Sequence, residues 1–224
     1  MVENALAEPA RRSRGRPRVR SDEETRALIV EAAGEEFEAN GFGGTSMVAV
    51  AQRAGVSTKT LYRLIPTKAD LFSSVISDRI GQFVIEADLA ALDKLDAEAA
   101  IERMLTVFGA LTLEPRTIAM TRLVIGESVA FPEIGADFYV DAIRRTSQAM
   151  ETALTRLRAR GLIALDDPAE ATSMLRGAMI FEPQRAVMLG QCEPPSAREI
   201  AERAKRCAKL FLEGCAAPSR SARG

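Results

Sequence analysis

Apolar residues recur at three- and four-residue intervals along most of the chain, the period of one helix face, while strand-like alternation is weak. Turn residues arrive in short clusters, so the pattern predicts an all-α fold. A first helix is expected to start at Ser21 or Asp22, where Glu24 can close a capping box on Ser21, and to stop at Asn40 and Gly41. Ile29, Ala32, Ala33 and Phe37 form its inward stripe. A short second helix, about Ser46 to Ala54 with Thr45 as its cap, turns Val48 and Ala51 inward and ends at Gly55. Ser57 can cap a third helix, about Thr58 to Leu64, which Pro66 closes because the residue before proline avoids helical angles. Leu61, Val48 and Val56 are expected in the core. Two short helices joined by a three-residue turn containing glycine form a helix-turn-helix.

Beyond it, the periodicity predicts a long helix from Thr67 to about Leu95, then helices near 97–112, 115–130, 133–160, 168–190 and 196–214. Pro132, Gly161 and the Asp166, Asp167, Pro168 cluster punctuate them. Residues 1–20 read as a flexible basic arm, because Gly15 and Pro17 break regular structure and nothing apolar anchors it.

Composition narrows the chemistry. The 224 residues are 47% hydrophobic and 27% charged, an ordinary globular balance. No apolar run approaches the ~18 residues that span a bilayer, and the N-terminus is polar and basic, so no membrane partner and a cytoplasmic location are expected. There is no histidine, and Cys192, Cys207 and Cys215 lack metal-ligand spacing. A zinc site and a histidine-based triad are therefore excluded, and no catalytic residue, metal or cofactor is expected.

The formal net charge of −1 would argue against nucleic acid, but it averages over strong segregation. Residues 11–20 hold six arginines and no acid, residues 21–40 hold seven acids and one arginine, and residues 45–68 hold Arg53, Lys59, Arg63 and Lys68 with no acid.

The run from Thr45 to Phe72, TSMVAVAQRAGVSTKTLYRLIPTKADLF, resembles the TetR family of regulators. It carries the family's Ala-Gly-Val-Ser turn as Ala54 to Ser57, Leu61 and Tyr62 in the recognition helix, and Thr67 with Lys68 at the next helix start. Ala32, Ala33, Phe37 and Gly41 extend the resemblance over about residues 27–75. Two positions depart from the pattern: Ile65 replaces a frequent aromatic, and Leu64 a common His or Tyr.

Residues opening a recognition helix face the major groove, where Thr58, Lys59 and Thr60 are placed to meet base edges, Lys59 foremost for guanine. Thr45, Ser46 and Ser57 offer hydroxyls to phosphates, and Tyr62 and Lys68 resemble the family's backbone clamps. Ser57 and Thr67 serve equally well as plain helix caps, and Tyr62 as a half-buried core residue. Arg14, Arg16 and Arg18 either enter a narrow minor groove or raise affinity through counterion release.

The stretch from Arg122 to Asp167 resembles TetR relatives of the AefR-like type. The chain is expected to divide into a helix-turn-helix domain over 21–66, a helical domain over 67–215 and a disordered tail over 216–224, and the resemblance implies that the helical domain encloses an effector pocket in its middle helices and dimerises through its last two. The implied partners are operator double-stranded DNA, a second copy of the chain and a small-molecule effector. Phe83, Met104, Phe108, Met120, Phe131, Phe138, Tyr139 and Met179 are candidates for the effector pocket, with Arg122, Glu127 and Arg176 as polar anchors. Each apolar candidate also fits an ordinary core. Met174, Leu175, Ala178, Ile200, Ala204, Leu210 and Phe211 are candidates for a four-helix dimer contact. The function expected is a repressor that a small, largely apolar effector releases from DNA. Activation in place of repression, and an architectural DNA-binding protein driven by the arm alone, remain alternatives; an enzyme lacks its constellation.

Overall fold

The computed structural model describes residues 20–86 and 89–214, without the side chains of 82–90, so Arg14, Arg16, Arg18 and the Phe83 side chain lie outside the described residues. Every described element is a helix: α1 (Asp22–Gly44), α2 (Met47–Arg53), α3 (Thr58–Leu64), α4 (Lys68–Glu86), α5 (Leu89–Leu92), α6 (Ala97–Thr112), α7 (Pro115–Glu127), α8 (Pro132–Phe138), α9 (Arg145–Ala159), α10 (Pro168–Met188) and α11 (Ala197–Gly214). A π-helical turn, Tyr139–Arg144, makes α8 and α9 one continuous run. None of these helices is long and apolar enough to cross a membrane.

Local chemistry sets the helix ends. Ser21 and Glu24 form the reciprocal capping box that opens α1. Gly41 departs from the helix with φ 70°, a left-handed conformation that favours glycine, and the chain then makes one more turn to Gly44. Helix α1 therefore kinks at the expected stop and does not end there. Ser46, not Thr45, caps α2, its hydroxyl oxygen accepting the Ala49 amide at 3.1 Å. Helix α4 follows the expected run as far as Glu86. Residues 87–88 lie outside the described residues, and Leu92 of the α5 segment is buried against α6 and α9.

Two cores result. One gathers Ile29, Phe37, Phe42, Val50, Leu61, Phe72 and Ile76 of α1–α4 with Met120, Val124 and Ile134 of α7 and α8. The other joins Leu105, Phe108, Leu154, Leu175, Met179 and Ala204 across α6, α9, α10 and α11. The first core does not stop at residue 66: the helix-turn-helix shares its interior with α4, α7 and α8. Val48, expected inside, is 50% exposed, because Met47, Val50 and Ala51 already occupy the inward face of so short a helix.

Pro183 lies inside α10 and has no amide hydrogen for the Met179 carbonyl one turn earlier. Arg203 of α11 supplies the missing donor, its Nε reaching Met179 O at 2.7 Å and Nη2 reaching Ala178 O at 2.8 Å. The helix break thus becomes a cross-link between the last two helices.

Candidate DNA-binding interface and effector cavity

Helix α3 presents Thr58 and Lys59 to solvent, and Tyr62, one turn on, is 49% exposed. Ser57 is an N-cap: its Oγ accepts the Thr60 amide at 3.0 Å and lies 2.8 Å from Thr60 Oγ1. Capping and phosphate contact therefore compete for one hydroxyl, and Thr60 is drawn partly inward. Thr45 is withdrawn from the surface altogether. It is buried, and its hydroxyl is held by the Gly41 and Glu36 carbonyls at 2.7 and 3.0 Å, which rules out the expected phosphate contact. Ser46 remains exposed.

The acid-free stretch is less positive than its sequence suggests, because α1 folds its acids against it. Arg53 bonds Glu36 at 2.7 Å and Glu35 at 3.0 Å. Arg63 pairs with both oxygens of Asp22 at 2.7 Å, and that contact holds the Asp22 carboxyl below its ordinary range. Lys68 is no free clamp either. Its ammonium bonds the Phe42 and Thr45 carbonyls at 2.7 and 3.0 Å and lies 4.6 Å from the Phe42 ring centre, so it closes the end of α1. Among the described residues of 45–68, Lys59 is the one cation with no partner of this kind.

A second site lies behind the head. A cavity of about 150 Å³ opens between α4, α6, α7, the π-helical turn, α9 and α10. Ile76, Ile80, Leu111, Met120, Phe138 and Ile180 give it apolar walls, with Arg79, Arg176 and Gln184 among its polar groups. Arg79 is neutralised by Glu114 at 2.6 Å.

The sequence of residues 29–75 matches the bacterial regulatory proteins of the tetR family, and residues 99–215 match the C-terminal domain of AefR-like transcriptional repressors. The chain belongs to the TetR family. Solved structures of regulators agree with this fold. A transcriptional regulator from Mesorhizobium loti MAFF303099 superposes with a TM-score of 0.77 at 25% identity, over 87% of this chain and 98% of that one. The flavonoid-responsive regulator FrrA gives 0.69 at 26% identity, with the same two coverages. Bacillus subtilis FadR in complex with stearoyl-CoA shares the fold, at 0.65 and 20% identity, over 84% of this chain and 98% of that one. No curated protein matches the sequence at a significant level.

Against this TetR-family frame the pocket candidates divide. Met120 and Phe138 line the cavity, as does Arg176. Met104, Phe108 and Met179 are core, sealed in the second cluster, although the Phe108 ring lies under the Arg176 guanidinium at 4.5 Å. Tyr139 is 56% exposed, because the π-helical turn swings it outward. Arg122 donates to the Val187 carbonyl at 3.2 Å and does not line the cavity. Phe131 packs on Phe42, 5.1 Å between ring centres, and belongs to the first core.

Glu127 is the largest reassignment. Its two carboxylate oxygens accept the amides of Phe42 at 3.1 Å and Gly43 at 2.7 Å, so it holds the α1 kink. Sequence reasoning missed this clamp, since its partners lie some 85 positions away. The TetR regulator is thus tied at one kink from two sides, by Lys68 through carbonyls and by Glu127 through amides.

Proposed function

We propose that this TetR-family chain is a homodimeric repressor, released from operator DNA by a small, largely apolar effector held in the cavity between α4 and α10. The observation that carries the reading is that the cavity wall and the head's attachments share two helices. Helix α4 lines the cavity with Ile76 and Ile80 and holds the kink with Lys68. Helix α7 lines it with Thr117, Met120 and Thr121 and holds the kink with Glu127. A ligand that separates the walls has two rigid levers onto the segment that enters α2. It shifts the spacing of paired recognition helices only by its differential affinity for the two arrangements. The FrrA name describes a small-molecule-responsive relative and supports the same reading.

DNA contact rests on Thr58, Lys59, Tyr62, Ser46 and the arm. The purified protein is expected to bind its own upstream intergenic DNA with sequence preference and strong salt dependence. Lys59→Ala should cost about 1–3 kcal/mol and relax selectivity at the base it reads. With three cations of the head already paired, removing residues 1–19, which include Arg11, Arg12, Arg14, Arg16 and Arg18, should flatten the log–log salt slope by up to about 4.5. Binding that ignores sequence and survives Lys59→Ala would return the protein to the architectural reading.

The dimer face is narrower than the sequence implied. Leu175, Ile200 and Ala204 are buried inside the protomer, and Phe211 is partly buried. Met174 and Phe181, seven residues apart on α10, remain 65% and 59% exposed, with Gly177 and Ala178 between them and Leu210 exposed on α11. The small residues let a partner helix approach, and the large ones supply the apolar area of an isologous contact. Phe181→Glu, which puts a second acid beside Glu182, should shift sedimentation from dimer toward monomer at micromolar concentration. An unchanged dimer would place the interface elsewhere.

A further inference from the structure

Resting on that effector cavity, we propose that its ligand is an apolar monocarboxylate, an aryl or short alkyl acid whose anionic end is received by Arg176. The guanidinium reaches the cavity from α10, stacked over the Phe108 ring at 4.5 Å. Its one protein hydrogen bond among the described residues runs from Nη1 to Thr146 Oγ1 at 2.6 Å. No described carboxylate lies within ion-pair distance of it, whereas Arg79, the other arginine on the wall, already has Glu114. Burial without a counter-charge disfavours the cation and pulls it down to about 10.

A part-buried arginine without a described counter-charge is costly, and the cost is recovered when an anion arrives that matches its planar fork. The other polar groups on the cavity wall are compatible with a carboxylate. Thr117 Oγ1, on the same cavity wall, is buried with no hydrogen-bond partner among the described residues. Thr112 and Thr121 donate their hydroxyls back to their own helices, at 2.7 and 2.8 Å, and so compete for no anion. The remaining wall of Ile76, Ile80, Leu111, Met120, Phe138 and Ile180 rewards a hydrocarbon body. A cavity of about 150 Å³ admits a benzene-sized body, so the ligand is on the order of six to ten non-hydrogen atoms.

Cinnamate, benzoate and octanoate, each paired with its neutral amide, are the probes, titrated calorimetrically into the full chain. The acids are expected to bind at least tenfold more tightly than the amides. In Arg176→Met the acids should lose their preference over the amides, falling by at least tenfold while the amides change by a few-fold at most, and an unchanged thermal unfolding midpoint would show that the chain has kept its fold. In Arg176→Lys part of the preference should return, because charge remains but the bidentate fork is lost. Equal binding of acid and amide, or a preference that survives in Arg176→Met, would overturn the anion assignment and leave the effector cavity standing. Failure of every acid and every amide to bind would overturn both.

Discussion

Phe72→Ala is expected to cost about 3–5 kcal/mol of stability, the range for truncating a fully enclosed phenylalanine, and to abolish operator binding near the growth temperature. Phe72 has no exposed surface, and its ring meets Phe37 and Phe42 edge-on at 5.4 and 5.7 Å. Phe42 in turn meets Phe131 at 5.1 Å, so this cluster joins α1, α4 and the segment entering α8. A cavity here weakens the head and its seat together. Where total stability is roughly 5–15 kcal/mol, the loss is a large share of the whole. Denaturant unfolding and operator titration on one preparation would check it, with Phe72→Leu as the milder control. A loss below about 1 kcal/mol would mean that the aromatic cluster does not join the two parts.

The second large effect is expected at Glu127. Its carboxylate accepts two backbone amides at the kink, and charge-assisted bonds of this kind are each worth about 1.5–3 kcal/mol. Gly43 is exposed, which discounts its bond, so Glu127→Ala should release the kink at a cost of about 2–4 kcal/mol. Hydrogen exchange at the Phe42 and Gly43 amides should then accelerate by roughly thirtyfold or more, while exchange in α6 and α11 stays unchanged. Glu127→Gln keeps one acceptor oxygen and should fall between. Gly41→Ala should act in the same direction, since a methyl there would overlap Glu127 Oε1 and the backbone is left-handed at that residue. Unaltered exchange in Glu127→Ala would remove α7 as a lever on the head.

Arg176 and Glu127 had the same standing as polar anchors in the sequence, yet one faces the cavity and the other the kink. Both stand in helices with apolar neighbours, so local pattern does not separate them. The partners do: Thr146 Oγ1 lies 30 positions from Arg176, and the Phe42 amide 85 positions from Glu127.

What the sequence determined by itself is what depends on neighbours a few residues apart. The Ser21–Glu24 capping box, the Ser57 cap, the glycines at positions 41, 55 and 161 with φ of 70°, 65° and 73°, and the all-helical period are short-range and were legible. So was the TetR-family turn, because its tight geometry constrains residue types at fixed spacing. Tertiary structure alone decided which charges are spent and which remain. It set the acids of α1 on Arg53 and Arg63, engaged Lys68 with the carbonyls that end α1, sealed Met104, Phe108 and Met179 in the core, and left Arg176 beside an apolar cavity with no described carboxylate as partner. Charge pairing and burial act through space between distant segments, and a helical period carries no record of which segments will meet.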